Sequence, residues 1–333
     1  MSREVAGNTR VFERLRTYYR FTRPFTLLPP AIGMIAGGLT AYGAAGALVE
    51  TSGFIAVVGA LFGEDAAAAP TAGHLLVACN LFFGALMAAF LNAASNGINQ
   101  VYDLEIDRVN KPERMIPSGR MSVREATWIS AALYIISLLF ALLVNVQCLV
   151  IAAVAAGCTI VYSVPPMRTK RWGWAANLTI AVPRGLLLKV CGWACAKSIM
   201  HGESWYIGGI FFLFLLGAAS TKDFADMAGD EEGGCITLPL KYGVKRAAYI
   251  ISPSFVLPFL LMPLGAWTGW LTGNATLLTI FGFVLAAWGL YVNWLILKDP
   301  DALATTENHP SWTHMYLMMM AAQVMFIVAY LVN

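Results

Sequence analysis

The chain has 333 residues, 58% of them hydrophobic and 12% charged, with a net charge of +3. Soluble domains carry roughly a quarter of charged residues, so this composition excludes a water-soluble globular protein and fits a polytopic membrane protein. A net charge this small gives no reason to expect nucleic acid, and what carries information is where the charges sit.

The chain opens on a basic, amphipathic segment, residues 1–23, in which Val11, Phe12, Leu15, Tyr18 and Tyr19 form an apolar stripe against Arg10, Arg14, Arg16 and Arg20. That pattern suits a helix lying on an anionic membrane surface, or a plain helical lead-in. No small-residue cleavage site follows the first apolar run, so a secretory leader is not expected. At about 20 apolar residues per crossing, hydropathy predicts nine spans, centred near Ile35, Leu86, Tyr134, Val154, Val182, Leu213, Val256, Leu285 and Met320. Between the first two, Phe54 to Phe62 is too short to cross and reads as an extension or interfacial segment.

With nine spans, the positive charges before the first, between the second and third, between the fourth and fifth, after the sixth and after the eighth all fall on one side. The opposite loops offer only Lys197. The positive-inside rule then places the N-terminus and the Asp-rich helix ends in the cytoplasm.

Two predicted spans, the second and the sixth, end in acids. Asn92, Asn96, Asn99, Asp103 and Asp107 recur at helical spacing and line one face. Asp223, Asp226 and Asp230 repeat the arrangement beside Lys222. Lipid cannot face such stripes. Each half therefore reads as a four-helix unit whose second helix carries acids, and a parallel pseudo-repeat turns the clusters toward each other. The predicted fold is all-α: a polytopic membrane bundle of nine transmembrane helices, in two pseudo-repeated four-helix units around a central cavity.

A single acidic helix end is readily solvated, but two of the same organisation point to function. Hard carboxylate and amide oxygens suit Mg²⁺, which takes one or two carboxylates and completes its shell with phosphate and water. The adjacent Lys222, Arg114, Arg168 and Lys170 fit a polyanion that bridges metals and cations. The cysteines lie mostly inside apolar runs and read as buried reduced thiols. His74, His201, His309 and His314 show no ligand spacing.

The motif Asn99-Gln-x-x-Asp103-x-x-x-Asp107 followed by VNKPERMIPSG resembles the UbiA-type intramembrane prenyltransferases. So do Tyr162-Ser-Val-Pro-Pro-Met-Arg168-Thr-Lys170, Lys222-Asp223-x-x-Asp226-x-x-x-Asp230 followed by TLPLKYG, and Arg23-Pro-Phe-Thr-Leu. The first motif often reads Asn-Asp in that superfamily; Gln100 departs from it but leaves Asp103 and Asp107 in place. The resemblance spans most of the chain and implies one intramembrane domain over residues 1–333. It implies two Mg²⁺ ions held by Asn99, Asp103 and Asp107 on one side and Asp223, Asp226 and Asp230 on the other. The expected partners are a polyprenyl diphosphate, a lipophilic acceptor and membrane lipids, with no nucleic acid and no obligate protein partner. The expected acceptor is an aromatic or quinone precursor, a chlorophyllide-like molecule or a glyceryl phosphate. Asp103, Asp107, Asp226, Asp230 and Lys222 are the expected catalytic set, with Tyr162 near the reacting carbon by motif match. Asn96, Asn99, Arg23, Arg114, Arg168 and Lys170 are expected to bind substrate.

Arg184 and Lys189, inside the fifth predicted span, belong to no motif and escape the charge rule. Arg184 is weighed equally as a ligand of an acidic acceptor head group and as a structural or snorkelling cation. Two other functions are carried alongside: a terpene cyclase using the same ionisation, and a secondary transporter, whose acids should lie near the membrane midplane in broken helices.

Overall fold

A computed structural model describes residues 13–49, 52–62, 73–306 and 309–332. A short helix α1 (13–21) leads through a 3₁₀ turn into α2 (Leu28–Gly43), whose Pro29 and Pro30 stand in the first turn, where a missing N–H costs nothing. Then come α3 (Gly53–Phe62), α4 (Gly73–Tyr102), α5 (Leu104–Asn110), α6 (Val123–Val144) and α7 (Val146–Ser163). The second half holds α8 (Trp174–Ala181), a π-helical segment (Val182–Leu187), α9 (Leu188–Trp193), α10 (Gly202–Ala218) and α11 (Met227–Glu232). It closes with α12 (Leu238–Tyr242), α13 (Val244–Ile251), α14 (Leu257–Trp267), α15 (Ala275–Leu297), α16 (Ala302–Thr305) and α17 (Pro310–Leu331).

Among the described residues, eight helices are long and apolar enough to cross a membrane, and the chain is an integral, multi-pass membrane protein. The fifth predicted span is the exception. Residues 174–193 stay helical throughout, but the π-helical segment carrying Arg184 divides them. Against the nine transmembrane helices expected, eight helices among the described residues qualify, and residues 174–193 do not count as a ninth. The short apolar piece is α3, packed along α6. Elsewhere helix ends follow local chemistry: Ser122 accepts from the Glu125 N–H to cap α6, Asn145 caps α7 through Cys148 N–H, and Asn274 caps α15 through Leu277 N–H.

The core has two main parts. One gathers α10, α13 to α15 and α17 around Phe211, Phe214, Phe255, Phe259 and Phe326; the other gathers α4, α6, α7 and α9 around Met87, Val144, Cys148 and Val190. Between them α2 packs on α4, α9 and α17. Its approach to α9 is reciprocal: a Cβ on Gly37 would lie 3.1 Å from Gly192 Cα, and one on Gly192 would lie 2.6 Å from Met34 O. Lipid tails give no hydrophobic drive for association, so close backbone contact of this kind is what joins the halves.

The N-terminal stripe divides in two. Val11 and Phe12 lie outside the described residues; Leu15 and Tyr19 are exposed. Tyr18 instead donates to Glu125 Oε1 at 2.7 Å, and Phe21 is buried with Met115, Ile116 and Met121. The segment is therefore anchored on the loop after α5.

Candidate active site

The acids gather at one end of the bundle because α4 continues through Asp103 into α5, keeping Asn99, Asp103 and Asp107 in backbone register: Asp103 N–H donates to Asn99 O at 2.9 Å and Asp107 N–H to Asp103 O at 2.7 Å. The polar stripe above them is spent on packing. Asn92 and Asn96 donate to Thr26 O and Thr26 Oγ1 at 2.9 and 2.8 Å, and Gln100 donates to Phe21 O at 3.1 Å. These bonds fix the start of α2. Asn99 Oδ1 accepts from Ser163 Oγ at 3.1 Å, which brings the end of α7 beside it.

The second acid stretch meets the first directly. A Cβ on Gly229 would lie 2.2 Å from the Asn110 amide and one on Gly233 would lie 2.3 Å from Ile106, so only glycine lets α11 close on α5. Lys111 Nζ bridges to Asp226 at 3.2 Å. The loop after α7 is pinned to the same place, since Gly173 N–H donates to Ile236 O at 2.7 Å and Ile236 N–H to Arg171 O at 3.0 Å. That pinning carries Lys170 and Arg168 to the acids.

Each cation of this group already holds a carboxylate. Lys170 hydrogen-bonds buried Asp103, Arg168 Nη2 lies 3.4 Å from it, and Arg114 Nη1 reaches Asp107 at 2.6 Å. Among the described residues, Arg168 and Arg23 are the non-glycine residues with positive φ, 36° and 55°, a strain on the order of 1 kcal/mol each. Arg168 Nε is buried without a hydrogen-bond partner. Among the described residues these cations fall on Asp103, Asp107 and Asp226, and Asp223 and Asp230 hold none. Burial, then the charges of Asp230 and Asp226, push the Asp223 carboxyl up to about 8, with Ser220 opposing. Burial, then Asp226, push Asp230 up to about 7. Burial also raises Asp107, against the Arg114 bond.

Among the described residues no three acids converge as a closed cage, so the full Asp223, Asp226 and Asp230 set does not meet at one point. The donor chemistry fits Mg²⁺, a hard ion that takes one or two carboxylates and leaves the remaining positions to phosphate and water. Tyr162 stands in the last turn of α7, next to Ser163, whose hydroxyl donates to Asn99. Lys222 holds no carboxylate; its Nζ lies 4.9 Å from the Trp312 ring, which stands edge-on to Tyr316. Lys111 beside Asp226, and Trp312 and Tyr316 beside Lys222, stand outside the residues expected from the sequence. Lys111 is readable in VNKPER, whereas the aromatic pair, one turn apart on the last helix, looks like any lipid-facing stripe.

The two orphan cations part company. Lys189 Nζ donates to Gln323 Oε1 at 3.0 Å and Gly33 O at 3.3 Å and lies 4.4 Å from the Phe211 ring, so it is a packing residue. Arg184 is exposed and holds no hydrogen bond or ion pair among the described residues.

The sequence profile of the UbiA prenyltransferase family matches residues 56–309. A digeranylgeranylglyceryl phosphate synthase of Methanoculleus marisnigri is 34% identical over 206 residues, 60% of this chain and 72% of that protein. Across three such synthases the aligned stretch covers 65% to 72% of the relative's length, about two thirds. A solved structure concerning a digeranylgeranylglyceryl phosphate synthase superposes with a TM-score of 0.68 at 26% identity, covering 96% of this chain and 100% of that one. The structure of a UbiA homolog from Archaeoglobus fulgidus bound to GPP and Mg²⁺ shares the fold, with a TM-score of 0.59 at 18% identity over 93% of this chain and 99% of that one.

Proposed function

The chain belongs to the UbiA prenyltransferase family, and from that premise we propose that it transfers a polyprenyl group from a prenyl diphosphate to a lipophilic acceptor within the membrane. One observation carries the reading: two acid stretches pack face to face, with Lys111, Arg114, Arg168 and Lys170 drawn onto their carboxylates. Carboxylates that merely capped helices would be solvated, not crowded into mutual repulsion. The glyceryl phosphate class of acceptor, named in the relatives reported above, is favoured over the aromatic and chlorophyllide-like classes.

Two Mg²⁺ ions are the proposed metal complement, with Asn99, Asp103 and Asp107 and the facing Asp223, Asp226 and Asp230 as their ligands. Magnesium bound there supplies charge neutralisation to the diphosphate as its bond to the allylic carbon breaks. The chain's own cations do the complementary work. Lys170, Arg168 and Arg114 sit on carboxylates at hydrogen-bonding range, and a diphosphate entering between the acid stretches takes them as donors in exchange. Lys222 contributes charge without a competing acid. Tyr162 faces the allylic carbon as it develops positive charge, and Trp312 and Tyr316 help keep water out. The acid end is assigned to the cytoplasmic face, supported by the arginines and lysines clustered there.

Purified protein in lipid nanodiscs, given Mg²⁺, prenyl diphosphates of graded length and a panel of acceptors, should yield prenylated acceptor by mass spectrometry. Release of cyclised hydrocarbon in its place, or no consumption of any diphosphate by folded protein, overturns the reading.

A further inference from the structure

Three cysteines gather where α7 packs on α9. Cys148 stands in the first turn of α7, its N–H donating to the Asn145 side chain at 2.8 Å. Cys191 lies in α9, and Cys195 follows one turn later, just past the end of that helix. All three are buried thiols, and the transfer chemistry uses none of them. Cys148 Sγ and Cys191 Sγ lie 3.0 Å apart, and Cys191 Sγ also lies 3.6 Å from Cys148 O. That separation is inside the contact distance of two unbonded sulfurs and about 1 Å from a bond. Cys195 is engaged elsewhere, its Sγ meeting Asn80 O of α4 at 3.5 Å.

Polar bonds on the same two segments hold the pair in register. Asn145 Nδ2 donates to Ala194 O at 2.7 Å, Gln147 Nε2 donates to Ser198 Oγ at 3.2 Å, and Gln147 Oε1 accepts from Ile199 N–H at 3.0 Å. The thiols are therefore presented to each other by fixed backbone, and joining them needs side-chain rotation and no helix movement. Their place in the bundle matters as well. Ser163, at the other end of α7, holds Asn99 of the acid end, and Cys148 lies roughly 22 Å along the helix from it. The charge assignment that puts the acids in the cytoplasm puts the cysteines toward the outer face, where thiols are not kept reduced.

We infer that Cys148 and Cys191 are a redox pair that closes to a disulfide, stapling α7 to α9 at the end of the bundle remote from the acids. In closing, both S–H bonds break and one S–S bond forms. The two protons and two electrons pass to molecular oxygen, which dissolves in hydrocarbon and leaves as hydrogen peroxide. The staple joins positions 43 residues apart in the chain, so it restricts the unfolded chain far more than the folded one. It touches no residue of the acid end. The prenyl-transfer reading plays no part in it, and either can fail without the other.

The test takes the full chain in lipid nanodiscs, oxidised by dissolved oxygen with copper phenanthroline as catalyst, then denatured, alkylated and mapped by peptide mass spectrometry. Of the six cysteines, all but Cys148 and Cys191 should be alkylated, and those two should appear in one cross-linked peptide. C195S should keep the link, whereas C148S and C191S should lose it; C148A and C191A give the same reading where serine disturbs the apolar packing. The melting temperature of oxidised wild type should fall by at least about 3 °C on adding a phosphine reductant. The same reductant should leave C148S and C191S unmoved. Alkylation of all six cysteines in oxidised, folded wild type, or a cross-link between any other two, overturns the inference. So does a melting temperature that the reductant leaves unchanged in cross-linked wild type, or shifts equally in C148S.

Discussion

At the end of the bundle away from the acid stretches, Glu203 is buried and accepts from Thr272 N–H at 2.6 Å, from Thr272 Oγ1 and from the Tyr330 hydroxyl. Nearby, buried Lys197 donates to Ala44 O and to Gly46 O at 2.8 Å. Both of these buried charges are met by donors or acceptors of the protein itself. At the acid end the cations fall on Asp103, Asp107 and Asp226, Asp223 and Asp230 hold none among the described residues, and the carboxyls of Asp107, Asp223 and Asp230 are pushed toward protonation. Both ends bury ions within one apolar chain. The difference teaches how to read them: a satisfied buried charge holds the fold, and an over-charged one waits for a ligand.

Removing divalent metal should have the largest effect. Chelation is expected to abolish product and added Mg²⁺ to restore it, with the melting temperature of the empty protein nearly unchanged, since the opposite end keeps its bonds. Full turnover after verified metal removal would erase the contrast between the ends.

Next in size, Asp103→Ala and Asp226→Ala should each cut turnover by at least roughly a hundredfold, the loss expected of a main electrostatic stabiliser. Thermal stability should hold in Asp226→Ala, where one of several repelling carboxylates goes, and fall in Asp103→Ala, which strips buried Lys170 of its partner, so turnover is read per folded molecule. Wild-type rates in either variant would reduce the acid end to a solvated helix terminus.

Glu203→Ala should do the reverse. Leaving the Tyr330 hydroxyl and the Thr272 N–H without their acceptor should cost about 2–4 kcal/mol of stability, seen as a lower melting temperature, while turnover per folded molecule stays near wild type. A stable variant with lost activity would show that the two ends do not divide the labour this way.

The smallest effect is on pH. Asp223 and Asp230, held up to about 8 and about 7 without metal, carry protons near neutrality that entering Mg²⁺ must displace. The half-saturating Mg²⁺ concentration should therefore fall as pH rises from about 6 to about 8 and level off above. The Asp223→Asn variant should show a shallower fall, and Glu203→Ala the wild-type one; titrations of activity against Mg²⁺ at several pH values decide it.

Much of this was legible in the chain. An apolar run of span length has few places to go, so eight of the nine expected crossings and the two acid stretches follow from composition and spacing. The interruption of the fifth span did not, because Val182–Leu187 keeps helical hydropathy while its backbone widens. Asn92, Asn96 and Gln100 read as one polar stripe with the acids. Their partners, Thr26 and Phe21, lie more than sixty residues away, and only the packing of α2 shows that these amides are structural.

Lys189 and Arg184 show the boundary most clearly. By itself the sequence determined that two cations lie inside an apolar span and that something must compensate them, because hydrocarbon cannot solvate an ion. Which one is compensated by protein was decided only when the bundle closed. Folding brings Gln323 of the last helix, Gly33 of the first span and the Phe211 ring onto Lys189, and leaves Arg184 exposed. Local spacing fixes the face on which a side chain stands, but its partners come from helices distant in sequence, and the close approach of α2 to α9 at Gly37 and Gly192 sets which of them arrive.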